Sequence, residues 1–569
     1  MGKRVADVIV EILQEAGVKR CWGVPGDTLN YVTDAIRRSP IEWVHVRHEE
    51  VGGFAAGADS MITGDLVACA GSCGPGSLHF VNGLFESHRN RAPVVLIASQ
   101  VTRDELGFDF PQEVDFMPIY KQCSVFCEEI RTPAQARRKT AMAAQAALMK
   151  RGVAVLILPV DVSQAEAPDE PGFAVHVSRP VIRPSDDELD RIAEILNGGK
   201  RVAIYGGSGC EDAHDALVAL ADRLKAPVAH TSRAKDFVEY DNPFNVGMTG
   251  LLGNAGGCHT VATCDTLLLL GCDFAWRQFY PDQARIVQVD IDPTHIGRRH
   301  PVEVGVVGDV KATLDALLSR IAARQDRAFL DECLDRHARA MQALDERETI
   351  GRGGKIHPQY LARLIDRHAA DDAIFTADGG TATVWVLRHT RATGKRRTII
   401  SLTHGTMANA MPQALGAKKA APDRQVISLS GDGGLTMLLG DLITAVQEKI
   451  PIKIAVVNNG KLGFVELEMK GDGLLDAYTN LDNPDFARVA GAIGFQAQRV
   501  EKAEDLEAAV SAWIAAPGPA LIDVVTDPME LVMPPKFEAD QVFGMALYSV
   551  KAVLAGRGKD VWELATDAV

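Results

Sequence analysis

Two short polar segments in the last third of the chain could hold a metal ion together with a phosphorylated ligand. Residues 430–434 read SGDGG and residues 456–463 read VVNNGKLG, and each ends an apolar run. If both runs are neighbouring parallel strands, Asp432 and Asn459 lie side by side at the sheet edge where ligands bind. Oxygen ligands of this kind suit Mg²⁺, and glycines let backbone amides approach a diphosphate. Either segment alone is typical of an ordinary turn, but the pair at this spacing is more specific.

A third segment, residues 47–60, reads RHEEVGGFAAGADS and follows a predicted strand. A carboxylate here could act as a general acid or base if it lies in an apolar pocket. The ordinary alternative is an acid cluster at a helix N-terminus, where the helix dipole stabilises negative charge. A fourth segment, residues 403–417, reads THGTMANAMPQALGA, and its first methionine could equally be a core residue.

Three segments in the middle of the chain have the composition of a dinucleotide site. Residues 247–257 (GMTGLLGNAGG), 267–276 (LLLLGCDFAW) and 287–293 (VQVDIDP) place glycines or an acid at predicted strand ends. The first strand turn of this region reads GGSGCEDAH and lacks the GxGxxG pattern. The residues alone therefore indicate a nucleotide-binding sheet without identifying a flavin.

Alternating helices and continuous apolar strands must position these segments, and this pattern is typical of parallel, doubly wound sheets. In the first unit, helices are predicted over 5–16, 28–38, 49–62, 75–89 and 133–150, with strands at 42–46, 66–71, 93–98 and 153–162. Further strands are predicted near 201–205, 226–230, 265–271 and 286–291, and then at 373–378, 397–402, 425–432, 452–459 and 519–525.

Polar linkers without a hydrophobic period, residues 163–187 and 340–356, separate the units. The sequence therefore predicts an α/β protein of three doubly wound parallel-sheet domains, in which the first and third could share a fold. The predicted domains are residues 1–180, 186–340 and 356–530, followed by a tail at 531–569.

Composition narrows the classes of function. The 569-residue chain has a formal net charge of −15 and no basic tract, so it is a poor candidate for binding nucleic acid. Its ten cysteines form no CxxC pair, which favours reduced thiols in a cytoplasmic protein over disulfides or a zinc site. The N-terminus has the spacing of an amphipathic helix, not of a signal peptide, and no uncharged apolar run is long enough to span a membrane.

The GDG sequence followed at this distance by NN resembles the diphosphate-binding motif of thiamine-diphosphate enzymes. The resemblance implies that Asp432, the Asn459 side chain and the Lys461 backbone carbonyl hold Mg²⁺. The three domains would then bind the pyrimidine end of the cofactor, FAD on a Rossmann-like central domain, and the diphosphate with Mg²⁺.

The same resemblance matches Glu49, not Glu50, to the catalytic acid that shares a proton with the aminopyrimidine of the cofactor. Met407 would wedge the cofactor into a bent shape that brings its reacting groups together. The other residues that the resemblance assigns to thiamine diphosphate are Gly405, Thr406, Gly433, Gly434, Gly460, Leu462, Gly463 and Phe464.

Within the thiamine-diphosphate enzymes, residues 70–94, 239–253 and 462–470 most resemble the bacterial pyruvate oxidase, or pyruvate dehydrogenase (quinone), family. This implies oxidative decarboxylation of a 2-oxo acid such as pyruvate, with electrons passed through FAD to a quinone. Val465 and Glu468 would line the reaction centre, unless they are only one face of a helix. The residues assigned to FAD are Thr249, Gly250, Leu251, Leu252, Cys272, Asp273, Phe274, Ala275, Trp276 and Asp290.

Two departures from that family concern the substrate pocket. Pro111 stands where the relatives carry a phenylalanine, with Phe110 adjacent, and Gly379 stands where they carry valine. Both changes remove side-chain volume, so we expect a roomier pocket that could accept longer 2-oxo acids. One methylene changes discrimination by only about 1–3 kcal/mol, so pyruvate would still react.

The family also implies assembly and a role for the tail. The first domain of one chain presents its glutamate to the cofactor on the third domain of another, which predicts a homo-oligomer, usually a tetramer. The tail would bind membrane lipid at the inner face of the cell membrane, or it is an ordinary docked helix. Its acids Asp560, Glu563 and Asp567 weaken attraction to anionic lipid. The apolar residues at helical spacing are Phe543, Leu547, Val550 and Leu554, with Val561, Trp562 and Leu564 beyond a Gly-Arg-Gly break.

Alternative functions remain open on the sequence. An acetolactate-synthase-like carboligase, or a non-oxidative decarboxylase, would retain FAD only as a structural group. The paired histidines typical of pyruvate decarboxylase are not evident, which disfavours the second. A cofactor-binding protein without activity and a central domain that binds nothing are the remaining alternatives.

Overall fold

The computed structural model describes residues 2–169, 172–349, 355–528, 539–555, 557 and 561. Its strands form three six-stranded sheets, and the strand pairings within them are parallel. Helices cover the sheets, as expected when strands are continuous apolar runs joined by crossover helices. The predicted α/β class with three doubly wound sheets is confirmed.

The first sheet has the strand order β2-β1-β3-β4-β6-β5. Its strands are β1 (Arg20–Gly23), β2 (Glu42–His45), β3 (Val67–Gly71), β4 (Val94–Gln100), β5 (Phe126–Glu129) and β6 (Val153–Pro159). Its helices are α1 (Val5–Glu15), α2 (Asn30–Arg37), α3 (Glu49–Thr63), α4 (Pro75–Leu78), α5 (Val81–Arg89), α6 (Phe116–Tyr120), α7 (Ala136–Lys150) and α8 (Val160–Gln164). The helix predicted over 75–89 is therefore two helices, and the strand predicted to residue 162 ends at Pro159.

The second sheet has the order β12-β11-β10-β7-β8-β9, which is the Rossmann arrangement. Its strands are β7 (Val202–Gly206), β8 (Val228–His230), β9 (Asn245–Met248), β10 (Thr266–Leu270), β11 (Arg285–Asp290) and β12 (Val304–Val307). Its helices are α9 (Asp186–Gly198), α10 (His214–Leu224), α11 (Lys235–Val238), α12 (Ala255–Thr263), α13 (Val310–Leu317) and α14 (Ala328–Asp345). Helix α14 thus continues into the predicted linker at 340–356, whereas residues 172–185 of the first linker contain neither helix nor strand.

The third sheet has the order β14-β13-β15-β16-β18-β17, which repeats the order of the first sheet. Its strands are β13 (Ile374–Ala377), β14 (Arg397–Ile400), β15 (Val426–Gly431), β16 (Lys453–Asn458), β17 (Gln496–Val500) and β18 (Ala520–Val525). Its helices are α15 (Pro358–His368), α16 (Thr381–His389), α17 (Ala410–Ala420), α18 (Asp432–Met437), α19 (Leu442–Gln447), α20 (Gly463–Gly471), α21 (Phe486–Ile493) and α22 (Ala503–Ala515). The first and third units therefore share a fold.

One hydrophobic core joins the first and third units through helices α3 and α17. Phe54 and Ala55 of α3 lie in the same buried cluster as Met411 and Leu415 of α17. A side chain at Gly416 would overlap the backbone of Ala55, so the two helices touch closely at this point. Since burial of apolar surface is the main favourable term in folding, this shared core holds the two units together.

The tail contains helix α23 (Ala539–Leu554), which packs on α20. Tyr548 and Ala552 are buried against Leu467, whereas Val550 and Leu554 are exposed. Trp562 and Leu564 lie outside the described residues, as does the side chain of Phe543. Among the helices that the structure describes, none combines the length and the apolar character needed to cross a bilayer.

Candidate active site

The carboxyl ends of β13, β15 and β16 form the crevice of the third sheet. The chain runs to opposite sides of β13 and β15, so a topological switch point lies between them, and ligands of such sheets bind there. Strands β15 and β16 are direct neighbours, with Gly431 opposite Val457. The residues that follow them, Asp432 and Asn459, are therefore side by side, as the sequence predicts.

The Asp432 carboxylate is almost fully buried and is held by three N–H groups. The Gly433 amide donates to Oδ1 at 2.8 Å, and the Gly460 amide donates to Oδ2 at 2.7 Å. The Asn483 side chain also donates to Oδ2, at 2.8 Å. Burial raises the pKa of this carboxyl, while the three donors oppose that shift. The carboxylate is thus fixed in place.

The two neighbouring asparagines, Asn458 and Asn459, have different surroundings, and only Asn459 is placed as the sequence predicts for an Mg²⁺ ligand. Asn458 is buried and donates to Asp523 at 2.9 Å, so it has a structural role inside the sheet. Asn459 accepts a hydrogen bond from the Lys461 amide at 3.1 Å, which holds the turn together. One carboxylate with amide and carbonyl oxygens fits Mg²⁺, because that ion keeps other positions for water and phosphate. Within the described part of the chain, no group of three or more His, Cys, Asp or Glu offers a competing metal site.

A cradle of small and apolar residues adjoins this carboxylate. A Cβ at Gly433 would lie 2.9 Å from the Leu462 side chain and 3.2 Å from Cε of Met407. A Cβ at Gly434 would overlap the carboxylate of Asp378. There is no room for a side chain at residues 433 and 434. Because both are glycine, a diphosphate could approach their backbone amides closely.

Asp378 is a buried acid at the end of β13 that sequence reasoning missed. Its Oδ1 accepts from the Ala410 amide at 2.9 Å, and among the described residues its Oδ2 has no hydrogen-bond partner. Burial raises the pKa of this carboxyl from 3.8 to about 7. The segment ADGG does place an acid at a strand end, and that was the available signal.

The raised pKa of Asp378 predicts a pH-dependent stability. The folded chain holds a proton that the unfolded chain releases, so this stabilisation is complete below about pH 4 and is lost as pH rises through 7. Asp378→Asn keeps the side chain neutral at every pH, so raising the pH from 5 to 8 should lower its melting temperature by roughly 2 °C less than that of the unsubstituted chain. Calorimetry of the cofactor-free proteins measures the melting temperatures, and Asp423→Asn, which changes an exposed acid, is the control. If the melting temperatures of Asp378→Asn and of the unsubstituted chain fall equally with pH, the raised pKa of Asp378 is contradicted.

Gly379 does not create the extra room expected from its missing side chain. A Cβ at Gly379 would overlap the carbonyl oxygen of Thr406. The Gly379 amide also donates to that oxygen at 3.2 Å and to Oδ1 of Asn409 at 3.1 Å. The backbone of residues 404–407 (the Met407 loop) therefore fills the volume, and the expectation of a roomier pocket at this position was wrong. Pro111 and Phe110 lie on an exposed loop.

Glu49 begins α3 and lies at the carboxyl edge of the first sheet. Its side chain is buried, and its Oε2 shares a hydrogen bond with Nδ1 of His79 at 2.9 Å. His79 stacks on His48 with ring centroids 4.6 Å apart, and His48 caps the helix by accepting from the Glu50 amide. One carboxylate oxygen is thus held by the protein, and the role of Glu49 as an acid stays a prediction. Sequence reasoning missed His79.

The segments predicted to bind FAD meet at the carboxyl edge of the central sheet. Residues 249–252 follow β9, residues 272–276 follow β10, and Asp290 ends β11. Asp290 is buried and accepts from the Asp292 amide at 2.9 Å. Ligands of such sheets bind outside the carboxyl ends of the strands, where a buried acid can accept a hydrogen bond from a ligand hydroxyl group. These residues fit a dinucleotide.

Individual side chains of the 272–276 segment have definite partners. Asp273 forms ion pairs with Arg298 and Arg299, the latter at 2.8 Å. Phe274 contacts Tyr205 edge-on at 5.6 Å between ring centroids, while Trp276 is half-exposed. The segment is therefore ordered by its own contacts.

Helix α20 presents Val465 and Glu468 to solvent in the single chain. Between them, Glu466 is fully buried and forms ion pairs with Lys461 at 3.0 Å and with Lys470 at 2.6 Å. This buried cluster joins the turn that contains Asn459 and Lys461 to α20, and sequence reasoning missed it. An acid in the middle of a helix is usually exposed, so no sequence signal pointed to it.

Three models of thiamine pyrophosphate enzymes match the chain, one for each sheet. The N-terminal TPP binding domain matches residues 3–119, the central domain matches residues 189–317, and the C-terminal TPP binding domain matches residues 378–524. The matched C-terminal region contains Asp378, Asp432 and Asn459.

Proteins that are similar to the chain over most of its length agree with these family matches. The chain is 33% identical over 552 residues to a Bacillus subtilis protein named "Putative thiamine pyrophosphate-containing protein YdaP", covering 96% of each chain. It is 30% identical over 531 residues to pyruvate oxidase of Lactiplantibacillus plantarum, covering 91% of this chain and 87% of the relative. It is 32% identical over 549 residues to the acetolactate synthase large subunit of Parasynechococcus marenigrum, covering 91% of this chain and 87% of the relative. With a model of this family matching each of the three sheets, the chain belongs to the thiamine pyrophosphate enzyme family, which acts on 2-oxo acids by decarboxylation or carboligation.

Proposed function

We propose that this protein oxidatively decarboxylates pyruvate, using thiamine diphosphate with Mg²⁺ and transferring two electrons through FAD to a quinone. Pyruvate and water give acetate, CO₂, two protons and two electrons, and the quinone takes up the electrons and protons to become a quinol. Thiamine diphosphate would supply the electron sink that holds the electron pair left by departing CO₂. The 30% identity to pyruvate oxidase over 91% of the chain supports this substrate.

The single observation that carries the proposal is that a buried acid, Glu49, and the turn of Asp432 and Asn459 lie at the carboxyl edges of two sheets with the same strand order. Glu49 has one oxygen held by His79, so the other can exchange a proton with the aminopyrimidine ring. Asp432 and Asn459 would hold Mg²⁺, and the backbone at 433–434 would contact the diphosphate. Asp432, Asn459 and the backbone at 433–434 thus bind and orient the cofactor, and Glu49 exchanges a proton with its aminopyrimidine ring.

We further propose that the functional unit is a homo-oligomer in which Glu49 of one chain serves the cofactor held by another. Within the described part of the chain, Glu49 forms its hydrogen bond to His79 and none to the third unit. A tetramer built from two such dimers is the expected assembly. Sedimentation of the holoenzyme would give its size, and a fully active monomer would exclude this arrangement.

The sharpest test of the oxidase reaction is the flavin spectrum of the purified holoenzyme. Anaerobic addition of pyruvate should bleach the absorbance of bound FAD, and adding a quinone should restore it. Bound FAD that stays oxidised while acetolactate or acetaldehyde forms would favour the carboligase or decarboxylase alternative instead. The 32% identity to an acetolactate synthase is the specific observation behind that second candidate.

Gly379 should control cofactor binding and not substrate size. In Gly379→Ala, the new methyl group must displace the Thr406 carbonyl and with it the Met407 loop. We expect the affinity of the apoenzyme for thiamine diphosphate to fall about tenfold, the equivalent of roughly 1.4 kcal/mol. Titration calorimetry measures this, and Gly440→Ala, where a Cβ meets no atom within 4 Å, is the control. An unchanged affinity with a narrower range of 2-oxo acids would restore the pocket interpretation.

The tail is proposed to contact membrane lipid at the inner face of the cell membrane. Val550, Val553 and Leu554 are 58%, 57% and 81% exposed and form an apolar stripe on the outer face of α23. Such a stripe suits a helix that lies in the membrane interface. The chain should therefore sediment with phospholipid vesicles, and a chain truncated after residue 528 should not. Equal sedimentation of both would remove the tail from this role.

A further inference from the structure

One face of α5 contacts the segment that carries Met407. Asn82 donates from Nδ2 to Oγ1 of Thr406 at 3.1 Å and shares a hydrogen bond between its Oδ1 and Nε2 of His404 at 2.8 Å. Phe85 stacks on His404 with ring centroids 5.6 Å apart. Asn82 and Phe85 are three residues apart and therefore lie on the same face of the helix.

The same helix face continues the contact further along the segment. Glu86 accepts from the Ser401 hydroxyl at 2.6 Å, and the Arg89 carbonyl accepts from Thr403 at 3.3 Å. Glu86 is buried, and burial raises the pKa of its carboxyl. The first unit of the chain therefore holds residues 401–406 of the third unit along more than one helical turn.

Glu50 accepts a hydrogen bond from Asn82 and so fixes its side chain. Asn82 donates from Nδ2 to Oε1 of Glu50 at 2.7 Å, so its amide is fixed between Glu50 and Thr406. Glu50 and Glu49 are sequence neighbours on the first turn of α3, yet they face different partners, Asn82 and His79. The two acids therefore act at different places.

We infer that Asn82, supported by Glu50, is a positioning residue that fixes the Met407 loop of its own chain. Each chain then serves two active sites, one with its Glu49 and the other with its Asn82. This inference rests on the proposed function, in which Glu49 serves the cofactor of a partner chain. Asn82 does not touch the reacting atoms, and its effect passes through the backbone of residues 404–407.

The anchoring is tested on the full-length apoenzyme by amide hydrogen exchange and by titration with thiamine diphosphate and Mg²⁺. Asn82→Ala should speed exchange over residues 401–407 at least tenfold, with little change elsewhere, and should weaken cofactor binding about tenfold. Glu50→Ala should act in the same direction and serves if Asn82→Ala does not fold. Glu50→Gln keeps the acceptor for Asn82 and should retain the protection. Unchanged exchange in both alanine variants would overturn the anchoring. If the unsubstituted chain binds no cofactor, the proposed function fails, but the exchange result still decides the anchoring.

Mixed oligomers decide which site Asn82 serves. Chains carrying Glu49→Gln and Asn82→Ala on different tags are co-expressed, the oligomers are diluted until they dissociate into dimers, and the mixed dimer is purified with both tags and assayed as a dimer. Assayed at a cofactor concentration that saturates only the unsubstituted chain, this dimer should keep about half the normal activity, because one site has an intact loop and an intact Glu49. A dimer with both substitutions on one chain should have no intact site. The reverse pattern would overturn the division of each chain between two sites.

Discussion

Glu49→Gln is expected to lower kcat by about 10²–10⁴-fold while thiamine diphosphate still binds. Glutamine preserves the size of the side chain and an oxygen within reach of His79, but it cannot exchange a proton with the cofactor. The loss should therefore appear in the proton-transfer step and not in binding. Exchange of the C2 proton of bound cofactor with deuterium, followed by NMR after rapid quenching, isolates this step.

The control for Glu49 is Glu11→Gln, which removes a carboxylate of α1 that is paired with exposed Lys3. That variant should exchange and turn over at the normal rate. Normal C2 exchange in Glu49→Gln would remove Glu49 from the reaction. Since Glu50 is bound to Asn82, it is not positioned to take over the function of Glu49.

The second large effect is expected at Asp432. Asp432→Asn removes the negative charge that would bind Mg²⁺ and leaves three N–H groups without a charged acceptor. Loss of even a residue that only supports a metal ligand typically costs about 10–100-fold in metal affinity, so loss of a direct ligand should lower the Mg²⁺-dependent affinity for thiamine diphosphate on the order of 100-fold or more. Removing Mg²⁺ from the unsubstituted holoenzyme with a chelator should release the cofactor, because the diphosphate would be held through the metal.

Calorimetric titration of the apoenzyme with and without Mg²⁺ measures this effect. The exposed Asp472, which follows α20, gives the control substitution Asp472→Asn. It should bind the cofactor normally and remain dependent on Mg²⁺. Unaltered, metal-dependent binding in Asp432→Asn would show that the metal is held elsewhere.

Strands that are continuous apolar runs could be placed from the sequence because each is buried on both faces. The neighbouring pair β15 and β16 follows from that pattern, and the adjacency of Asp432 and Asn459 follows from the pair. Four of the six edge strands were missed (β5, β9, β12 and β17), whereas the edge strands β2 and β14 were predicted. Strand β5 reads FCEE and β17 reads QAQRV, and both lie at the edge of their sheets, where polar residues replace the apolar run. The absence of β5 and β17 from the prediction did not affect Glu49, Asp432 or Asn459, which follow β2, β15 and β16.

The sequence by itself determined the three-sheet architecture, because continuous apolar strands alternate with helices along the chain, and it predicted Asp432, Asn459 and Glu49 as site residues from short segments. The tertiary structure alone decided what lies beside those residues. That His79 holds Glu49, that Asn82 holds the Met407 loop and that the Thr406 carbonyl fills the space at Gly379 are contacts between segments far apart in the chain. Such contacts depend on how helices and loops pack in three dimensions, and packing leaves no period or spacing in the sequence from which they could be predicted.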